Sequence, residues 1–140
     1  MLGLNMHHIG FAVSDIGKKA DAYVQTLGYK IETAIIHDPL QQAYVQFLRF
    51  PGDRVYLELV QPDGPESKLS QAVAKGGGLH HVCYATGDIE GTCRELRQAG
   101  MFLISQPVPA VAFNGRRIAW LMGKDRLLTE LVERGKEGEL

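Results

Sequence analysis

The chain predicts an α+β fold: two paired β-α-β-β-β modules forming a curved, partly open, barrel-like sheet with the helices outside. Three observations predict it. The stretches His7-His8-Ile9-Gly10-Phe11-Ala12-Val13-Ser14-Asp15-Ile16 and His80-His81-Val82-Cys83-Tyr84-Ala85-Thr86-Gly87-Asp88-Ile89 lie in register at an offset of 73 residues (7 to 80). Each is followed at matched distance by a second strand-like stretch, Asp53-Arg54-Val55-Tyr56-Leu57-Glu58-Leu59-Val60 and Asp125-Arg126-Leu127-Leu128-Thr129-Glu130-Leu131-Val132. A half-module cannot bury both faces of its sheet alone, so the two are expected to pack side by side. This gives a single domain over 1–140, with module 1 at 6–61, a linker at 62–78, module 2 at 79–133 and a charged tail at 134–140.

Residues 6–13 alternate as a strand does, with His8, Gly10 and Ala12 on one face and His7, Ile9, Phe11 and Val13 on the other. Ser14 reads as a helix N-cap with Asp15 in the first turn. Ile16, Ala20, Tyr23, Val24 and Leu27 then recur with helical spacing, and Gly28 supplies the stop. Strands follow over Tyr29 to His37, Ala43 to Phe50 and Val55 to Gln61, separated by Asp38-Pro39 and Pro51-Gly52-Asp53. In the linker, Ser67 to Lys75 is a candidate short helix. Gly76-Gly77-Gly78 precedes a strand and not a helix, so it reads as a hinge between modules and not a phosphate loop. The second module repeats the order: strand Leu79 to Thr86, helix Asp88 to Ala99, then strands Met101 to Val108, Arg117 to Leu121 and Leu127 to Val132. The tail from Glu133 reads as solvated.

Composition excludes several classes. At 140 residues, 45% apolar and 22% charged, with a net charge of −1, the chain is an ordinary soluble domain with no electrostatic case for nucleic acid. Its apolar runs are too short for a membrane span, and its start lacks the pattern of a signal peptide, so the expected location is the cytoplasm. Two cysteines, Cys83 and Cys93, make no disulfide framework and read as small buried hydrophobes.

The chemistry gathers on four residues. His8 and His81 each share a strand face with small neighbours, which suits a cavity. Glu58 and Glu130 sit in apolar strands, where a buried carboxylate is costly unless paired or bound to a metal. His8 precedes Glu58 by 50 residues and His81 precedes Glu130 by 49. Converging in one cavity, two imidazoles and two carboxylates suit a first-row divalent ion (nickel, cobalt, zinc or manganese) with positions left for further ligands. His7, His37 and His80 read as ordinary structural histidines.

These motifs, His8-Ile9-Gly10-Phe11-Ala12-Val13, Gly78-Leu79-His80-His81-Val82 and the strands around Glu58 and Glu130, resemble the vicinal oxygen chelate superfamily over nearly the whole chain. The likeness is greatest to the branch holding glyoxalase I and methylmalonyl-CoA epimerase. The resemblance implies paired modules cupping one divalent metal ion per site, with His8, Glu58, His81 and Glu130 as its ligands. It makes Glu130 the first candidate for a mobile catalytic base and Glu58 its counterpart.

The expected activity is of the glyoxalase I (lactoylglutathione lyase) type, shifting a proton through an enediolate on a thiol adduct of a 2-oxoaldehyde. The alternative is a methylmalonyl-CoA epimerase-like reaction. The choice rests on departures from each pattern. The extra acid that epimerases carry before the third strand falls at Leu40 or Gln41, with Asp38 the nearest substitute. The first-strand arginine of glyoxalase I is replaced by Ala12. Arg116 and Arg117 are then the basic residues available to hold an anionic substrate, a thiol adduct or an acyl-CoA. A ring-cleaving dioxygenase needs only one carboxylate, and a metal-free drug-binding resistance protein needs no ligand set, so the intact four argue against both. A homodimer is compatible with the pattern, with the site closed within one chain or across two.

Overall fold

The computed structural model describes residues 2–140, which fall into two compact units. The first comprises 8–80 and the second comprises 2–7 with 81–140. The secondary structure of the chain is α+β.

The first unit is a mixed sheet with a helix on one face. Strand β1 (Asn5–Ala12) leads into α1 (Ile16–Leu27), followed by β2 (Lys30–Ile31), β3 (Ile36–Asp38), β4 (Ala43–Arg49), β5 (Tyr56–Pro62) and α2 (Leu69–Ala74). The strand order is β2-β4-β5-β1, with β3 also on β4. β1 and β5 run parallel, whereas β4 is antiparallel to both β5 and β2. Alternation then divides the side chains. Val13, Leu48, Leu57 and Leu59 pack with Ile16 and Ala20 of α1, leaving His8, Gly10, Ala12, Phe47 and Glu58 on the other face.

The second unit repeats the plan with β6 (Gly78–Thr86), α3 (Ile89–Gln98), β7 (Phe102–Pro109), a 3-10 turn (Val111–Phe113), β8 (Arg117–Met122) and β9 (Leu128–Glu133). Its order is β6-β9-β8-β7, with β6 and β9 parallel and the other pairs antiparallel. Ile89 and Cys93 of α3 pack on Ala119, Leu121 and Leu131. His81, Cys83, Trp120 and Glu130 therefore share the face away from that helix.

Two local expectations are corrected, the α1 cap and the strand over 29–37. The α1 cap is Asp15, whose Oδ1 accepts the Lys18 N–H at 3.1 Å. Gln61 Oε1 already accepts the Ile16 N–H, so the cap falls one residue past Ser14. Asp88 caps α3 in the same way through the Gly91 N–H. The strand expected over 29–37 breaks into two, because the Thr33 hydroxyl accepts the Phe47 N–H and the Gln46 side-chain amide donates to the Thr33 carbonyl. At Gly76-Gly77-Gly78, expected as a hinge between modules, the chain turns sharply. All three have positive φ, and the Gly76 and Gly77 N–H groups close the last turn of α2 onto Val73 and Ala72. The tail is mostly exposed, as a solvated segment is, while the Arg116 guanidinium donates to the Glu133 and Leu140 carbonyls and pairs with Glu139 at 3.4 Å.

Candidate metal centre

In the first unit, parallel pairing of β1 and β5 sets His8 opposite Tyr56 and Gly10 opposite Glu58. With no side chain at Gly10, Glu58 has room to lean toward the histidine, and His8 Nε2 lies 3.3 Å from Glu58 Oε1. Both are buried, His8 completely and Glu58 at 5% exposure. Phe47 stands opposite Glu58 on β4 and meets the His8 ring edge-on, with centroids 5.2 Å apart and planes at 79°.

The second unit has the same arrangement. Cys83 and Trp120 flank Glu130 in register, and His81 Nε2 lies 3.3 Å from Glu130 Oε1. Trp120 meets the His81 ring at 4.9 Å and 83°. The motif is thus a triplet in each unit: histidine, glutamate, and an aromatic ring that fixes the imidazole plane. The aromatic members went unnoticed in the sequence. Their separation, 47 to 120, is the same 73 residues as the histidine repeat, and that offset was the available signal.

The donor set fits a divalent ion. Metal–nitrogen and metal–oxygen bonds of about 2.0–2.2 Å place neighbouring donors on one ion about 3 to 3.4 Å apart. Each 3.3 Å pair is that spacing. A neutral imidazole and an ionised carboxylate are also the protonation states a metal requires.

The two arginines expected to grip substrate are committed elsewhere. Alternation along β8 puts Arg117 on the helix side with Ala119 and Leu121. There it bonds Glu133 at 3.1 Å and Glu90 of α3 at 2.9 Å. Those bonds raise the Arg117 pKa further and hold the Glu133 carboxyl below its ordinary value. Arg116 is spent on the tail, so neither reaches the His–Glu face. Asp38 is also engaged: buried, its Oδ1 accepts the Leu40 and Gln41 N–H groups and fixes the β3–β4 turn.

The remaining candidates have structural surroundings. His7 is buried edge-on to Phe113 at 5.4 Å, and His37 stacks on Tyr44 while bonding Asp63 at 2.9 Å. Burial pushes the Cys93 thiol up, as expected of a packing residue. No helix among the described residues is long and apolar enough to cross a membrane.

Comparison with known proteins accords with this geometry. Residues 7–120 match the model of the glyoxalase/bleomycin resistance protein/dioxygenase superfamily. The ethylmalonyl-CoA/methylmalonyl-CoA epimerase of Cereibacter sphaeroides is 30% identical over 127 residues, covering 89% of this chain and 92% of that protein. The mitochondrial methylmalonyl-CoA epimerase of Homo sapiens is 26% identical, covering 86% of this chain and 67% of that protein. Among solved structures, a Streptomyces coelicolor methylmalonyl-CoA epimerase in complex with 2-nitronate-propionyl-CoA superposes with a TM-score of 0.81. It is 27% identical, covering 94% of this chain and 97% of that one. These relatives are epimerases, so they support the alternative activity and leave the preference for a glyoxalase without support.

Proposed function

The chain belongs to the glyoxalase/bleomycin resistance protein/dioxygenase superfamily as one of its enzymes, and from that premise we propose that it is a metal-dependent epimerase. Its substrates are short, branched carboxyacyl thioesters of the methylmalonyl-CoA kind, and it acts in the cytoplasm. The observation that carries the reading is the repeated 3.3 Å histidine–glutamate pair in a chain whose relatives are named for that reaction. His8, Glu58, His81 and Glu130 are the proposed ligands of one divalent ion. Nickel, cobalt, zinc and manganese all suit the donors.

Held by these residues, a divalent ion would supply Lewis acidity that makes the carbon next to the thioester carbonyl more acidic. The chain's own residues move the proton. His8 and His81 stay as fixed nitrogen donors, their planes set by Phe47 and Trp120. Glu130 takes the proton from the carbon next to the thioester carbonyl. Its return to the opposite face of that carbon, from Glu58, inverts the centre. Atoms balance, since one proton leaves and one returns, with no redox change.

The test is proton exchange in deuterated water, followed by NMR on methylmalonyl-CoA. Incorporation at the α carbon is expected with wild type. Glu130→Gln keeps an oxygen donor but removes the basic carboxylate, so it should retain metal and lose about 10²–10⁴-fold in turnover. Wild-type exchange by a metal-loaded Glu130→Gln variant would make Glu130 a ligand only.

One observation favours the second reading, a glyoxalase-type proton shift. The loop that in epimerases offers an extra acid has Leu40 and Gln41, and Asp38 is engaged in its turn. Turnover of methylglyoxal–thiol adducts, with no exchange into methylmalonyl-CoA, would replace the epimerase reading with this one.

A further inference from the structure

The two units match rung for rung near their histidines, and then diverge. In the second unit, the residues level with His81 are Leu128 on β9, Met122 on β8 and Phe102 on β7. All three are apolar. In the first unit, the residue level with His8 is Tyr56. Leu48 stands opposite Leu57, so the next rung sets Arg49 against Tyr56, and Arg49 stands opposite Lys30 on β2. The rung His8-Tyr56-Arg49-Lys30 thus replaces two apolar side chains with two cations.

Facing like charges across neighbouring strands costs stability, so such a pair calls for an acidic partner or a ligand. Glu32 provides part of the answer, through one bond to Arg49 Nε at 3.2 Å. The cluster keeps a net charge of +1 from Lys30, Arg49 and Glu32. Lys30 has no ion pair among the described residues. The Arg49 guanidinium lies over the Tyr56 ring at 4.7 Å, which sets its plane and leaves Nη1 and Nη2 without a protein acceptor among those residues. Tyr56 meets Phe47 edge-on at 5.9 Å, and Phe47 meets His8, so aromatic contacts run unbroken from the guanidinium to the candidate ligand. The Arg49 side chain is 33% exposed, open to a ligand arriving from solvent. It shares the Phe47 face of β4, which is the face of His8 and Glu58. Strand spacing puts the Arg49 and Lys30 backbones about 10 and 14 Å from that of His8.

We propose that Arg49 and Lys30 form an anion-binding arm on the first unit. The arm takes a phosphate group of the substrate, remote from the reacting carbon. Arg49 makes the directional contact and Lys30 adds charge. The inference rests on the epimerase reading for its substrate; the matching rung of the second unit, Leu128, Met122 and Phe102, is apolar and carries no such arm.

The test compares wild type, Arg49→Met and Lys30→Met/Arg49→Met, the single exchange placing the second unit's residue at that rung. Metal content and thermal stability serve as controls. Loss of a charge-assisted contact should raise KM for methylmalonyl-CoA about ten- to hundredfold, with kcat little changed. The double variant should lose more, and its kcat/KM should depend less on salt. Methylmalonyl N-acetylcysteamine lacks the phosphates of coenzyme A. If the arm holds phosphate, wild type and variants handle this thioester alike; variants that stay impaired with it would overturn a phosphate-binding arm. Unchanged KM and calorimetric Kd for both thioesters would overturn the arm. If wild type binds methylmalonyl-CoA without turnover, the epimerase reading falls and the Kd ratio still judges the arm. If wild type binds neither thioester, both fall.

Discussion

Trp120 is the only tryptophan in the chain, and its ring lies edge-on to His81. It is therefore a native reporter of what His81 binds. Titration with cobalt or nickel should quench its emission, and His81→Ala should abolish the response. Quenching that persists in His81→Ala, or calorimetric binding with no change in emission, would place the ion elsewhere. Residues of this scale were partly legible in the sequence. Histidine and glutamate announce themselves by chemical type and by repetition. Phe47 and Trp120 look like core aromatics until the register shows each beside a glutamate. The surroundings of Arg116 and Arg117 were not legible for a related reason. A sequence shows that a guanidinium exists, but its partners Glu90, Glu133 and Glu139 are chosen by packing.

At the scale of elements, the repeat made strand and helix order readable because each module alternates a period of two with a period of 3.6. Ends were less readable, since caps and breaks depend on side chains arriving from elsewhere, as Gln61 does at α1 and Thr33 at β4. The glycine triplet is the sharpest case. A Cβ at Gly77 would collide with the carbonyl oxygen of Ala12, and its φ of +71° is costly for other residues. Gly77→Ala should therefore destabilise the protein by about 2 kcal/mol or more, measured by urea unfolding. An unaffected midpoint would restore the reading of a slack linker. Neighbouring Gly76, with open space around its missing Cβ, should suffer only the φ penalty on the same substitution.

At the scale of the whole molecule, the proposal of one shared ion makes a claim about stoichiometry. Each unit carries its own 3.3 Å pair, so independent sites would bind two ions per chain and a shared site one. Elemental analysis should give one ion per chain. His8→Ala and His81→Ala should each abolish tight binding, although they lie in different units. Saturating metal should also raise the unfolding temperature, since an ion at 100 times its Kd adds about 2.7 kcal/mol. Two ions per chain, or tight binding that survives His81→Ala, would separate the pairs into two sites.

The sequence by itself determined the α+β class and the order of strands and helices, and it singled out His8, Glu58, His81 and Glu130 as candidate ligands. It could do so because alternation, helical periodicity and a 73-residue repeat are properties of the chain read along its length. Tertiary structure decided which aromatic ring orients each histidine, which arginines are spent on ion pairs, and where a cationic rung breaks the internal symmetry. Those depend on register between strands distant in sequence. A shift of one residue in that register would turn Arg49, Phe47 and Glu58 to the opposite face.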